Sequence, residues 1–331
     1  MKEARAEGAG RRPVRLQRGY NLPYAVTVGG PWIVSSPSYS ESILAWRRKL
    51  EESLRAEEGW LALAGLFWLR EGENSLGTDP ANDVALPAGS APERVGWVSL
   101  EGGRARLRIA PGVEAVVEGE PIRQVQMTPD SDGSPTRVRV GSVTMVVIRR
   151  GQRWGLRVWD RNNPARESFP GRSWFPIAEA YQIEARFFAY VPPRILLIRN
   201  VLGDIEESPC PGTVVFTLAG QECRLQVSEG DEQGLFFIFQ DGTSGITTYP
   251  GGRFLVSEPP REGSVILDFN RAYNPPCAFT PYATCPLPPE GNSLPQRIEA
   301  GERHEPAAQH RGPGEEEPPV DHHGPETRRA E

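Results

Sequence analysis

Histidine and lysine are almost missing from this chain. All four histidines (His304, His310, His322, His323) lie beyond residue 300, and lysine occurs only at Lys2 and Lys49. A Ser-His-Asp or Cys-His machine in the body of the chain is excluded unless the tail folds back, and so are histidine-based zinc or iron sites. Almost no lysine is left for Schiff-base chemistry. Long apolar runs are missing as well: residues 60–69 (WLALAGLFWL) fall far short of the roughly 20 that a membrane-spanning helix needs. The N-terminus has arginines but no apolar core behind them, so it does not read as a secretory signal. A net charge of −6 argues against general nucleic-acid binding, which needs a concentrated basic surface. These absences predict a cytoplasmic protein with no nucleic-acid or membrane partner, no cofactor and no metal. Any catalysis rests on carboxylates, tyrosine, hydroxyls, arginine or cysteine.

What the chain does hold is glycine and proline, 35 and 33 residues, with little helical periodicity. That composition predicts an all-β fold with many turns. One amphipathic helix is expected over 40–57 (SESILAWRRKLEESLRAE), capped by Ser40, with Ile43, Leu50 and Leu54 on one face and Gly59 as its stop. Short strands at 63–70, 74–77, 83–86, 96–100, 104–109 and 115–117, separated by Gly, Pro and Asp turns, form a compact sandwich pattern. The polar stretch 128–137 (TPDSDGSPTR) reads as the boundary between a helix-plus-sandwich domain over 38–127 and a second β domain over 138–300. About nine strands in the second half suit a larger antiparallel barrel or sandwich. Residues 1–37 read as a flexible lead-in and 301–331 as a disordered tail.

Three clusters can carry chemistry. In 153–176, Arg157, Asp160 and Arg166 can grip an anion beside tryptophan, or simply buttress a strand end. In 239–255 (FQDGTSGITTYPGGRFL), Asp241 and Ser244 sit in a Gly-bracketed turn, with Tyr249 and Arg253 on the return; the bland reading is an Asx-turn. In 265–290, Asp268 and Asn270 end a strand that Pro275-Pro276 cannot continue, with Tyr273 and Asn274 between. Cys277 and Cys285 there read first as two structural thiols and second as a loop-bracing disulfide; their spacing is not that of a metal site.

Two resemblances follow from these stretches. GENSLGTDPANDVALPAGSAPERVGWVSL, with its Gly after a strand, D-P-x-N-D turn and V-x-L-P, resembles the forkhead-associated (FHA) sandwich. The phosphate-reading residues of that family are absent, since Thr78 follows Gly77 and Glu93 stands three residues after Ser90. DFNRAYNPPCAF, YATCPLPP, N-x-L-P and AGE (Ala300 to Glu302), with DGTSGITTYPGGRFL and F-x-G-x-x-WFP, resemble domain-of-unknown-function family 1684 over about residues 42–302. That resemblance implies no mechanism, but it places the three clusters in one family pattern.

The sequence therefore predicts a small polar or anionic ligand at the mouth of the second domain. Arg157, Arg253 and Asn270 would orient it, and Asp268, Asp241 and Tyr249 would set polarity. The rivals are a metal-independent hydrolase or lyase, with an Asp base and a Tyr acid or Ser244 nucleophile, and a protein-interaction module.

Overall fold

The computed structural model describes residues 38–231 and 233–304. The expected lead-in and residues 305–331 of the expected tail lie outside the described residues.

The helix, α1 (Tyr39–Arg55), is capped by Ser38, two residues before the expected Ser40. Its hydroxyl accepts from the Glu41 backbone N–H while the Glu41 carboxylate accepts from the Ser38 N–H at 2.7 Å, a reciprocal capping box. Past the C-terminus, a side chain at Gly59 would meet Leu54 O at 2.4 Å, so only glycine lets the chain leave so close to the helix.

Strands and two packed cores follow. A six-stranded antiparallel sheet runs in the order Leu63–Trp68, Arg153–Asp160, Val143–Arg150, Val138–Val140, Val116–Val117, Glu120–Pro121. A five-stranded sheet contains Val84–Ala85, Gly72–Gly77, Gly96–Glu101, Arg104–Ile109 and Gln124–Met127. Leu76, Val98, Leu107 and Met127 from the second meet Val140, Met145, Leu156 and Val158 from the first in one core. The break at 128–137 therefore does not separate two cores. Strands on both sides of it share one interior, and that interior continues to Val158.

The second core is made by two more sheets. One holds Gln221–Gln226, Ile205–Leu218, Gln182–Arg199 and Ser264–Asp268; the other holds Glu229–Asp231, Gly234–Phe239 and Arg253–Ser257. Val214, Phe216 and Leu267 pack against Leu235, Phe237 and Leu255. Of the expected barrel or sandwich, the sandwich is what forms. Gly234–Phe239 (GLFFIF) is apolar without alternation because both its faces are buried. Its other face, with Phe236 and Ile238, packs with Phe254 and Tyr273 against Leu50 of α1. The helix thus covers the C-terminal half of the chain rather than its neighbours in sequence. Among the described residues no helix is long and apolar enough to cross a membrane.

Candidate functional site

The Gly-bracketed turn and the strand after it place Asp241 and Arg253 side by side, 2.8 Å apart and essentially fully buried. Asp241 Oδ1 accepts from the Thr243 N–H and hydroxyl, and Oδ2 accepts from Arg253 Nη2 and the Ile298 N–H. A carboxylate offers about four acceptor positions, and all of them are taken by internal donors. Arg253 also donates to the carbonyls of Ala300, Ile298 and Glu302. Burial pulls its guanidinium down and Asp241 holds it up. Ser244 is engaged too, its hydroxyl oxygen accepting from the Asp241 N–H at 3.1 Å.

The end of the last strand is closed in the same way. Asp268 accepts from the Tyr39 hydroxyl at 2.8 Å, the Asn270 N–H and Arg271 Nε. Asn270, fully buried, donates to Tyr39 Oη and pairs through its amide with both backbone groups of Ala178. Burial, reinforced by the Asp268 charge, holds the Tyr39 phenol above its ordinary value. Tyr273 is a core ring, 5.8 Å from Phe254 and 6.1 Å from Trp46. Replacing Tyr39 with Phe strands one acceptor on Asp268 and one donor on Asn270, so a loss of about 1–3 kcal/mol is expected. Urea unfolding checks this, and a midpoint unchanged from the parent would refute the tie.

Sequence reasoning missed the residues that join these networks. Glu302, buried, accepts from Arg172 Nη1 at 2.6 Å and from the Asn274 N–H at 2.8 Å, while Asn274 Nδ2 donates to the Arg303 carbonyl. Residues 298–303 therefore form a strap over the sandwich that binds Asp241, Arg253, Arg172 and Asn274. Gly301 runs so close to Phe269 O and Ala272 O that a side chain would meet them at 2.6 and 2.5 Å. The expected tail thus begins too early, because 301–304 are ordered and Glu302 is in the interior. His304 also returns, its N–H bonding Thr247 O at 3.0 Å and its ring 5.1 Å from Tyr249. Burial pushes the Tyr249 phenol up and the His304 imidazole down. The AGE motif was the signal for the strap; Arg172 and Tyr39 left none.

The remaining predicted residues stand elsewhere. Arg157 is buried with its guanidinium 5.6 Å from the Trp60 ring and 6.0 Å from that of Trp159. Asp160 accepts from the Asn162 N–H, a turn contact. Cys277 and Cys285 are joined as a disulfide with Cα atoms 6.1 Å apart, which overturns the two-thiol reading. Among the described residues no three His, Cys, Asp or Glu side chains are grouped as metal ligands would be.

The predicted polar residues of the second half thus sit in internal networks, one around Asp241 and Arg253 and another around Asp268 and Asn270. An open hollow lies elsewhere: a cleft of about 610 Å³ lined by Arg55, Arg161, Asn162, Asn163, Pro164, Arg166 and Glu167. Arg55 at the end of α1 donates to the Arg166 and Phe169 carbonyls, and Arg166 returns a bond to the Arg55 carbonyl at 2.9 Å and another to that of Arg161. Of the predicted residues, only Arg166 lines the cleft.

Residues 167–303 match the model of a family described as protein of unknown function (DUF1684). The solution structure of an uncharacterized protein of Haloarcula marismortui is 34% identical, covering 42% of this chain and 79% of that one, with a TM-score of 0.36. The chain belongs to the DUF1684 family. No curated protein matches it. The DUF1684 match is shorter than the resemblance over 42–302 suggests. It takes in the Asp241–Arg253 and Arg172–Glu302 pairs, the disulfide loop and the strap, while of the cleft lining only Glu167 falls within it.

Proposed function

We propose that this DUF1684 protein binds a small anionic molecule in the cleft at 161–167. The observation that carries the reading is the lining: three arginines and two side-chain amides stand beside Glu167, and with Arg55 also paired to Glu51 at 2.8 Å the cleft keeps an excess of positive charge. Guanidinium groups recognise carboxylate and phosphate oxygens through paired N–H donors. The reciprocal bonds between Arg55 and Arg166 hold two of these side chains in place before any ligand arrives. The cleft also lies within the size range of small-molecule sites.

Arg157, Arg253 and Asn270 are not part of this site. A hydrolase or lyase built on Asp241 has less support, since that carboxylate has no acceptor position left for a substrate proton. The sandwich resemblance of the first core and a cytoplasmic location remain part of the proposal. Phosphopeptide reading does not, because the Thr78 hydroxyl donates to Ala91 O.

Thermal-shift titration with inorganic phosphate and with citrate tests the site. Stabilisation of about 1.4 kcal/mol is expected at ten times Kd, weakened by salt. Arg161→Glu should abolish it. No shift with either probe, or a shift kept in Arg161→Glu, would rule the site out.

A further inference from the structure

The long strand Gln182–Arg199 leaves most of its length uncovered. Near its start Ala185 is buried and Phe187 packs on the core, so Glu184, Arg186 and Phe188 point outward. Its pairing then shifts. From Ala189↔Gly212 to Arg194↔Cys210 the strand takes five steps against two in its partner, so it carries three extra residues. An odd insertion reverses the alternation. Beyond it Ile198 is buried, and Ile195, Leu197 and Arg199 point out.

The reversal keeps Phe188, Ile195 and Leu197 on one outward face, with charged residues at both ends of the strand. Phe188, Ile195 and Leu197 are 42%, 56% and 64% exposed; Ile205, opposite Arg199, is 53% exposed, and Ile266, opposite Glu184, 47%. A contiguous apolar face of this kind marks an interaction surface. The charges around it indicate which partner fits. Glu184 and Arg186 stand at one end with the Glu222–Arg224 pair beside them, and Arg199 and Glu207 stand at the other, so each end carries both signs in equal number.

We propose that this face joins a second copy of the chain about a twofold axis crossing the strand near Val191. Turned by that axis, Glu184 of one copy meets Arg199 of the other, and Phe188 meets Ile195. The pattern is self-complementary, as an isologous interface requires. The four strands of this sheet, of 18, 14, 6 and 5 residues, together offer roughly 700 Å² per copy, from a rise of about 3.3 Å per residue and a spacing of about 4.8 Å between strands. That equals about what a stable protein interface buries on each side.

Analytical ultracentrifugation of the full chain over a dilution series tests this. The expected result is a dimer mass that falls toward the monomer on dilution. Leu197→Glu should weaken association at least about tenfold, since it puts a charge in the apolar centre. Glu184→Arg and Arg199→Glu should each weaken it, and the two together should restore it. All these side chains are exposed, so unchanged melting curves confirm that the variants fold. The proposal is overturned by a monomer at every concentration, by a dimer indifferent to Leu197→Glu, or by a double charge swap no better than its parts. Capture of the monomer by phosphatidylcholine or phosphatidylglycerol vesicles, with no dimer, would overturn it in favour of a lipid surface.

Discussion

Replacing Arg253 with methionine is expected to lower the stability of the folded chain by about 3–5 kcal/mol, as when one partner of a buried ion pair is removed. The side chains of Arg253 and Asp241 are 1% and 0% exposed, so nothing from solvent can replace the lost guanidinium. Asp241 would keep its bonds to the Thr243 and Ile298 groups but lose its only charged partner. The carbonyls of Ile298 and Ala300 would lose a donor at the same time. Urea unfolding measures the loss, and thermal unfolding should show a midpoint lower by about 5–9 °C for a chain of this size. Removing both charges, Arg253→Met with Asp241→Leu, should cost less than the sum of the two single changes, because the stranded charge is then gone. A single-variant loss below about 1 kcal/mol would show that the pair is not buried as described.

The second large effect concerns Arg172 and Glu302. With side-chain exposures of 4% and 1%, this pair is also interior, and Arg172→Met should cost about 3–5 kcal/mol near neutral pH. The pH dependence separates a charge effect from a packing effect. Burial pushes the Glu302 carboxyl above its ordinary value, against the opposing pull of Arg172 and the Asn274 N–H. The folded chain therefore keeps that proton to higher pH than the unfolded chain. Its contribution to stability is full below the ordinary carboxylate value and is lost as pH rises through the raised one. Without Arg172 the carboxyl shifts further up, so the deficit of Arg172→Met should shrink as pH falls and Glu302 takes up its proton. Glu302→Gln should remove this slope. Unfolding curves from neutral to mildly acidic pH check both, and a deficit independent of pH would leave packing as the whole effect.

Much of the architecture was legible because it rests on patterns that repeat. Alternation in 96–100 and 104–109 gave strands, and the Ile43, Leu50 and Leu54 spacing gave the helix. Pairing was less legible. Residues 138–149 read as one strand, yet the chain turns at Gly141 and makes two, which join the sheet of Leu63–Trp68. No local signal says that a strand near residue 65 will lie beside one near residue 157. The site was legible in its parts and misread in its purpose. Asp241, Arg253, Asp268 and Asn270 stand out in the sequence because polar residues at apolar strand ends need partners. Whether the partner is a ligand or another part of the chain depends on contacts between residues far apart. Tyr39 and Asp268, 229 positions apart, show the difficulty. Glu302 was harder still, since a single buried carboxylate has no period and its neighbours beyond 304 look like a tail.

The strap has a consequence for synthesis. Residues 298–303 emerge from the ribosome after every strand they fasten, and until then Arg253, Arg172 and Asn274 face an interior that lacks their acceptors. The first sandwich, whose core ends at Val158, is free to form while the rest is still being translated. The second half completes its buried bonds last, once residue 303 is available.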